Sequence, residues 1–298
     1  MTTWRGRVAG LPDYDRCAVM GVVNVTPDSF SDGGQWFDPE IAIKHGFDLI
    51  ASGADIVDVG GESTRPGALR VDEAEEMRRV IPVVRELAAG GALVSVDTMR
   101  ASVAERALEA GARIVNDVSG GLADPAMVPM VASAQVPFVV MHWRGQSIDM
   151  NNRAIYGDVV SEVVAELRQR FDAVVAGGVD PERVIIDPGL GFAKNARHDL
   201  ELLAHLHRLR ELGRPVLVAA SRKRFLGRVL AAEDGTVPPA RARDAATAAV
   251  TAISAREGAW AVRVHEVKSS ADAVRVARAV EAAGRHEWAD PTERDGPR

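Results

Sequence analysis

Residues 18–24 read Ala-Val-Met-Gly-Val-Val-Asn, an apolar run that stops at a polar residue. A run that is apolar at nearly every position predicts a strand buried on both faces of a parallel sheet. Six further runs end in the same way, at Asp97, Asn116, His142, Asp187, Ser221 and His265. Because parallel strands end at the same edge of a sheet, these polar residues are predicted to converge on one pocket.

The composition of the 298-residue chain indicates a globular protein, since 47% of it is hydrophobic. Its 36 basic and 42 acidic residues are interspersed, which disfavours nucleic acid or an anionic membrane surface as a partner. The single cysteine, Cys17, excludes an intramolecular disulfide and favours a reducing compartment. No apolar run suits a signal peptide or a membrane span. We therefore expect a cytoplasmic protein without a membrane or nucleic-acid partner.

Gly-Ala pairs at 53–54, 111–112 and 258–259 each precede a run rich in β-branched residues. Glycine ends helices in the left-handed conformation, so these pairs mark boundaries between a helix and the next strand. About eight strands alternating with helices, at this length, favour an α/β fold, a single-domain (β/α)₈ TIM barrel. A doubly wound sheet is the competing layout. The predicted limits are an N-terminal leader at 1–17, the barrel at 18–284 and a disordered tail at 285–298.

Two of the longer loops after strands carry residues suited to ligand binding. The loop from Thr26 to Trp36 mixes carboxylates, hydroxyls and glycines with Phe30, and it is longer than a turn requires. It is predicted to close over a substrate. The loop at 62–70 contains Ser63, Thr64 and Arg65, which suit an anionic or amide-bearing ligand. In a barrel such loops lie at the C-terminal face, where active sites are built.

The polar strand ends also indicate ligand chemistry. Asp97 could cap a helix, and Asn116-Asp117 and Asp187-Pro188 could form turns. Together, however, Asp97, Asn116 and Asp187 supply the donors and acceptors that a planar, nitrogen-rich heterocycle needs. Arg263 and His265 are two positions apart on the last strand and so share one face, which would meet a phosphate if it pointed inward. A Schiff base between Lys223 and a carbonyl substrate is an alternative.

Seven strings, in order, together resemble the dihydropteroate synthase family, over residues of about 20 to 276. They are Asn-Val-Thr-Pro-Asp-Ser-Phe-Ser-Asp-Gly-Gly from 24, Gly-Gly-Glu-Ser-Thr-Arg-Pro-Gly from 60, Ser-Val-Asp-Thr from 95, Asn-Asp-Val-Ser-Gly-Gly from 116, Asp-Pro-Gly-Leu-Gly-Phe from 187, Ser-Arg-Lys-Arg-Phe from 221 and Arg-Val-His from 263. The resemblance implies a homodimeric folate-biosynthesis transferase and sulfonamide target that uses Mg²⁺. It would condense 6-hydroxymethyl-7,8-dihydropterin diphosphate with 4-aminobenzoate to 7,8-dihydropteroate and diphosphate.

The resemblance also implies a role for each motif residue. The catalytic set would be Asp97, Lys223, Arg263 and His265. Binding of the pterin and its diphosphate would add Asn24, Thr64, Asn116 and Asp187, with Asn24 also meeting Mg²⁺. The aminobenzoate and the closing loops would involve Phe30, Asp32, Arg65, Pro66, Phe192 and Ser221. Charge develops when diphosphate leaves the electron-rich pterin, so an anionic Asp97 is expected to favour the positive pterin fragment.

Two alternatives belong to other classes of protein. One is a pterin-binding methyltransferase barrel that passes a methyl group from methyltetrahydrofolate to a corrinoid, and the other is a non-catalytic pterin-binding paralogue. Ser-Thr-Arg-Pro-Gly, Ser-Arg-Lys and Arg-Val-His are expected only for the synthase. His142 has no implied contact and is interpreted as a satisfied structural histidine beside Trp143.

Overall fold

Eight parallel strands alternate with helices over the residues that the computed structural model describes, which are 6–26, 39–62, 71–145 and 153–288. The strands are β1 (Ala18–Asn24), β2 (Ile56–Gly60), β3 (Val94–Asp97), β4 (Ile114–Asp117), β5 (Phe138–Met141), β6 (Val184–Asp187), β7 (Leu217–Val218) and β8 (Ala261–Val264). The helices are α1 (Pro39–Ala51), α2 (Glu73–Ala89), α3 (Ala101–Glu109), α4 (Met127–Ala134), α5 (Val159–Ala176), α6 (Ala196–Ala204), α7 (Leu206–Arg210), α8 (Arg224–Val229), α9 (Asp244–Arg256) and α10 (Val267–Gly284).

The sheet is closed into a barrel. Its strand order is β6-β5-β4-β3-β2-β1-β8-β7. The remaining seam, between β6 and β7, is joined by a parallel bridge between Ile186 and Val216, and the Ile186 N–H donates to the Pro215 carbonyl at 2.9 Å. A doubly wound sheet would leave two edges unpaired at this point. The (β/α)₈ prediction is therefore confirmed, and the competing layout is wrong.

The predicted glycine boundaries have the expected backbone geometry. Gly53, Gly111 and Gly258 have φ of +107°, +112° and +84°. These values lie in the left-handed region, a backbone conformation that residues with a Cβ rarely adopt. At Gly111 an added Cβ would also lie 2.6 Å from the Ala88 Cβ, so neither the conformation nor the packing admits a larger residue. Each glycine turns the chain from a helix into the next strand.

The barrel interior changes character along its axis. Toward the N-terminal ends of the strands it is filled by apolar side chains that are fully buried, among them Met20, Ile56, Ile114, Val139, Ile185 and Leu217. Two residues further along their strands lie buried polar side chains, including Asp58, Asn116 and Asp187. Side chains alternate between the two faces of a strand, so residues two apart point into the same space. The interior is thus apolar at one end and polar at the other, where the strands finish.

The leader closes the apolar end of the barrel, a role that the sequence patterns did not predict. Val8 is buried in the apolar cluster at the N-terminal ends of the strands, and Leu11 and Tyr14 pack against that cluster. The Ala9 N–H donates to the Glu182 carbonyl at 2.8 Å, and Ala9 accepts from Arg183 at 3.0 Å.

The described part of the tail stays attached to α10. Arg285 pairs with Glu281 at 2.9 Å and with Glu287 at 2.7 Å. The rest of the predicted tail, residues 289–298, lies outside the described residues. In the part of the chain that is described, no helix is both long and apolar enough to cross a membrane.

Candidate active site

Arg263 lies at the centre of the polar end of the barrel. From β8 its Nε donates to Asp58 Oδ2 at 2.6 Å, and its Nη2 donates to Asp97 Oδ2 at 2.7 Å. The guanidinium side chain is 17% exposed, and the two carboxylates are 0% and 8% exposed. Charge-assisted hydrogen bonds of this kind are short and strong, particularly away from water. Arg263 therefore links β8 to β2 and β3 through the interior.

The barrel register sets Asn24, Asp97 and Asn116 at one level. Asn24 pairs with Gly60, Gly60 with Asp97, and Asp97 with Asn116 in successive strands. A Cβ on Gly60 would lie 3.3 Å from the Asp97 Cβ, which is a tighter approach than most side chains make. Glycine at position 60 thus leaves room for the Asp97 carboxylate. The convergence predicted from the strand ends is observed for these three residues.

Asp58 is a site residue that the sequence patterns did not single out. Its Oδ2 accepts from both Arg263 and Asn116, the latter through Nδ2 at 3.0 Å. Its Oδ1 is buried without a hydrogen-bond partner among the described residues. One carboxylate oxygen therefore positions two other site residues. The available signal was an acid in the middle of the otherwise apolar strand Ile56–Gly60.

Replacing Asp58 with asparagine should lower the free energy of unfolding by about 3 kcal/mol, because loss of one member of a buried ion pair leaves the other poorly compensated. Urea unfolding would measure the change. The matched control is Asp272→Asn, since Asp272 is 48% exposed in its pair with Lys268. The control should leave stability nearly unchanged, because exposed ion pairs contribute little. An Asp58→Asn protein as stable as the control would contradict the positioning role.

A second group of site residues lies at the ends of β6 and β7, next to β8. The Asp187 Oδ1 accepts the Gly189 N–H at 2.7 Å. Lys223 donates to the Leu190 carbonyl, and its Nζ lies 4.8 Å from the centre of the Phe192 ring. This places Asp187, Lys223 and Phe192 around one corner of the pocket.

Burial governs the charges in this corner. It raises the pKa of Asp187 and lowers the pKa of Lys223 to about 8, while the nearby Asp187 and Asp199 carboxylates oppose the shift of the amine. Lys223 is therefore mostly an ammonium at neutral pH. That state suits donation to a ligand carbonyl better than attack on it, so the arrangement favours binding over the Schiff-base alternative.

Ser221 and His265 meet at the rim. The His265 N–H donates to Ser221 Oγ at 3.1 Å, and the His265 Nδ1 lies 3.0 Å from the same oxygen. His265 is half-buried. Arg263 and His265 differ in depth along the barrel axis. Arg263 lies in the interior, where it pairs with two carboxylates, and His265 lies at the mouth. That both side chains bind the same phosphate stays a prediction.

The protonation state of Asp97 differs from the simple expectation of a permanent anion. Burial raises the pKa of Asp97 to about 7, although the Arg263 guanidinium acts to lower it. The carboxyl therefore titrates near neutral pH in the ligand-free protein, and its ionised form pairs with Arg263. Its neighbour Asp117 is a turn residue, as the turn interpretation allowed, because its carboxylate accepts from the N–H groups of Ser119 and Gly121 at 2.7 and 2.8 Å.

The other predicted site residues divide into two sets. Asn24 ends β1 with a partly buried side chain, and Phe192 is partly buried beside Lys223. Five predicted residues lie outside the described part of the chain, namely Phe30, Asp32, Thr64, Arg65 and Pro66.

Comparisons with known proteins identify relatives of this chain. Residues 20–265 match the family model described as pterin binding enzyme. A dihydropteroate synthase of Mycobacterium leprae is 57% identical over 259 residues, which cover 87% of this chain and 91% of that protein.

Two solved structures have the same fold. The Xanthomonas albilineans dihydropteroate synthase with 4-aminobenzoic acid has a TM-score of 0.83 at 45% identity and covers 90% of this chain and 94% of that one. The Yersinia pestis dihydropteroate synthase with a sulfonamide drug complex has a TM-score of 0.85 at 37% identity, covering 92% and 98%. With the family model, the relatives and the polar barrel mouth in agreement, the chain belongs to the dihydropteroate synthase family of pterin-binding enzymes.

Proposed function

We propose that this protein condenses 6-hydroxymethyl-7,8-dihydropterin diphosphate with 4-aminobenzoate, forming 7,8-dihydropteroate and diphosphate. The observation that carries the proposal is the set of polar groups at one barrel mouth. Asp97, Asn116 and Asp187 are each at least 90% buried there, and the Lys223 amine is close enough to Asp187 to act on its pKa. The pterin ring has an amino group, ring nitrogens and a carbonyl along its edge, which require acceptors and donors in the same pocket.

In the proposed reaction, the bond between the pterin methylene and the diphosphate oxygen breaks, and a bond to the aniline nitrogen of 4-aminobenzoate forms. The electron pair leaves with diphosphate, and the nitrogen loses one proton to solvent. Ionised Asp97 would stabilise positive charge on the pterin fragment, while Arg263 and His265 would stabilise negative charge on the leaving group. The aniline nitrogen is already a nucleophile, so positioning it contributes more than a general base would.

We propose further that Mg²⁺ accompanies the diphosphate. Among the described residues, no group of three or more His, Cys, Asp or Glu side chains could hold a metal ion. Mg²⁺ commonly keeps several waters and takes only one or two protein oxygens together with substrate phosphates. The amide oxygen of Asn24, partly buried at the barrel mouth, fits such a single ligand. The bound ion would neutralise charge on the leaving group.

The deciding experiment is a product assay. Purified protein is incubated with the pterin diphosphate, 4-aminobenzoate and Mg²⁺, and 7,8-dihydropteroate is identified by chromatography and mass spectrometry. A sulfonamide should raise the KM for 4-aminobenzoate without changing kcat. Methyl transfer from methyltetrahydrofolate to a corrinoid would instead indicate the methyltransferase alternative. Pterin binding by calorimetry without product would indicate the non-catalytic paralogue.

The proposed assembly is a homodimer in the cytoplasm. α9 and α10 pack against each other, and they expose the apolar side chains of Ile253, Val276 and Val280. Val276 and Val280 are four residues apart and so lie on one face of α10. This apolar surface supports a partner at the helix pair. The buried Cys17 thiol suits a reducing compartment.

A further inference from the structure

Lys194 is a buried amine that the proposed reaction leaves without a task. It lies between β6 and α6 and is 5% exposed. Its Nζ lies 2.9 Å from His142 Nδ1, 3.1 Å from the Gly189 carbonyl oxygen and 3.1 Å from the Phe192 carbonyl oxygen. An ammonium group has three N–H donors. The three neighbours are all acceptors, so the protonated amine is fully satisfied.

His142 continues the chain of hydrogen bonds away from Lys194. The Glu166 carboxylate can only accept, so its Oε2, 2.9 Å from His142 Nε2, assigns the proton of the neutral ring to Nε2 and leaves Nδ1 to accept from the lysine. Burial lowers the pKa of His142 to about 4, and the Lys194 charge acts in the same direction. His142 is therefore neutral at physiological pH. Its interpretation as a satisfied histidine agrees with these contacts, although they give it more than a packing role.

Glu166 joins this chain to the loop that follows β5. Arg144 donates to Glu166 Oε2 at 3.0 Å and to Glu162 Oε2 at 2.9 Å, and it also donates to the Ile155 carbonyl at 2.7 Å. We call Lys194, His142, Glu166 and Arg144 the Lys194 network. It connects the described ends of the β5–α5 loop to the β6–α6 loop.

The loop held by Lys194 forms one wall of the pocket. Residues 187–194 begin with the Asp187 carboxylate and include the Leu190 carbonyl, to which Lys223 donates, and the Phe192 ring beside that amine. The loop is also pressed against the end of β5. Gly189 has φ of +66°, and a Cβ there would lie 2.4 Å from the His142 carbonyl oxygen. The Lys194 amine, which donates to the Gly189 and Phe192 carbonyls, also holds the backbone of this loop.

We propose that Lys194 is a positioning residue for the pterin pocket. Its ammonium holds the Gly189 and Phe192 carbonyls against His142, so that Asp187, Phe192 and the Lys223 amine keep the geometry in which they meet the pterin ring. This inference rests on the proposed function for the identity of the ligand.

The protonation of Lys194 supports a dependence on pH. Burial lowers the pKa of Lys194 to about 7, while Asp199 and Asp187 act to raise it and Lys223 and Arg144 to lower it. The other ionisable groups of the network are His142 and Glu166. A neutral amine has only two donors, so it leaves one of the three acceptors unpaired. The positioning is therefore present at low pH and is lost as pH rises through the pKa of Lys194.

The test combines two variants with a control. Lys194→Met should lower kcat/KM for the pterin substrate and weaken pterin binding in calorimetry by about 10- to 100-fold, because small misplacements of binding groups have effects of that size. The control is Lys44→Met, since Lys44 is exposed on α1, and it should leave both values unchanged. A folded Lys194→Met protein that binds pterin as the control does would overturn the proposal.

Glu166→Gln tests the network without emptying a buried position, because the Glu166 side chain is 37% exposed. Glutamine can still accept from His142, but it no longer balances the charge of Arg144, which acts to lower the pKa of Lys194. The pKa of Lys194 should fall. The pH above which pterin affinity decreases should fall with it. Lysine-selective ¹³C labelling can follow the titration, since the chain has only four lysines. The Lys194 signal is assigned by its absence in Lys194→Met or, if that variant does not fold, in Lys194→Arg.

Two results separate this inference from the proposed function. Binding and lysine titration require no turnover, so a wild-type protein that binds pterin without making dihydropteroate would refute the function and leave the positioning role to be judged by affinity. If the pKa of Lys194 shifts in Glu166→Gln but the pH dependence of pterin affinity does not, the positioning role alone is overturned.

Discussion

Replacing Arg263 with alanine is expected to lower kcat/KM by about 10²- to 10³-fold, the size of effect seen when a donor to developing negative charge is removed. The guanidinium is also the shared partner of Asp58 and Asp97 in the barrel interior. Its loss removes the cation nearest the leaving group and separates two buried carboxylates from their counter-charge. Initial rates of diphosphate release measure the change.

Arg263 acts to lower the pKa of Asp97, so this variant has a second expected effect. Without the guanidinium the pKa of Asp97 should rise, and the acid limb of the rate profile should move to higher pH. Arg263→Lys keeps the positive charge but lacks the planar fork that reaches two carboxylates, so an intermediate rate is expected.

The control for Arg263→Ala is Arg106→Ala, because Arg106 is 56% exposed in its pair with Glu109. Urea unfolding of each variant gives the folded fraction by which rates are corrected. This correction matters because breaking a buried ion pair lowers stability by about 3 to 5 kcal/mol. A corrected Arg263→Ala rate within threefold of the wild type would refute the role of Arg263 in the reaction.

Asp97→Asn is expected to lower turnover by about 10²-fold or more at pH 8, where the wild-type carboxylate is ionised and can stabilise the positive pterin fragment. Burial raises the pKa of Asp97 to about 7, so the protonated form predominates below that pH. At saturating pterin, where a lower affinity caused by the Lys194 titration does not limit turnover, the wild-type kcat should therefore rise with pH through about 7, and the variant should lack this limb. Steady-state rates between pH 5.5 and 8.5 compare the two proteins.

The acid limb distinguishes Asp97 from other buried acids. Burial raises the pKa of Asp117 to about 6, but its carboxylate is occupied by the backbone of its own turn. If Asp97→Asn kept the limb, the titrating group would be another carboxyl, and the proposed role of Asp97 would be wrong. Asp272→Asn, on the surface, should retain both the rate and the limb.

Local sequence was sufficient for the parts of this protein that depend on local physics. Glycine alone adopts the left-handed backbone without strain, so Gly53, Gly111 and Gly258 marked helix ends correctly. Strands buried on both faces require continuous apolar runs, so a polar residue at the end of a run stood out as a pocket residue. The resemblance then supplied the chemistry to which those residues belong.

Only the tertiary structure decided how the polar residues are paired. Asp58 looked like one acid within a strand, yet it holds Arg263, 205 positions away in the chain. The leader packs against the apolar end of the barrel. Lys194 contacts His142, which is 52 positions away in the chain. Such contacts depend on strand register and barrel closure, which bring distant residues together in a low-dielectric interior. The sequence therefore identified most of the groups that reach the pocket, though not Asp58, and the fold decided their partners and, through burial, their charges.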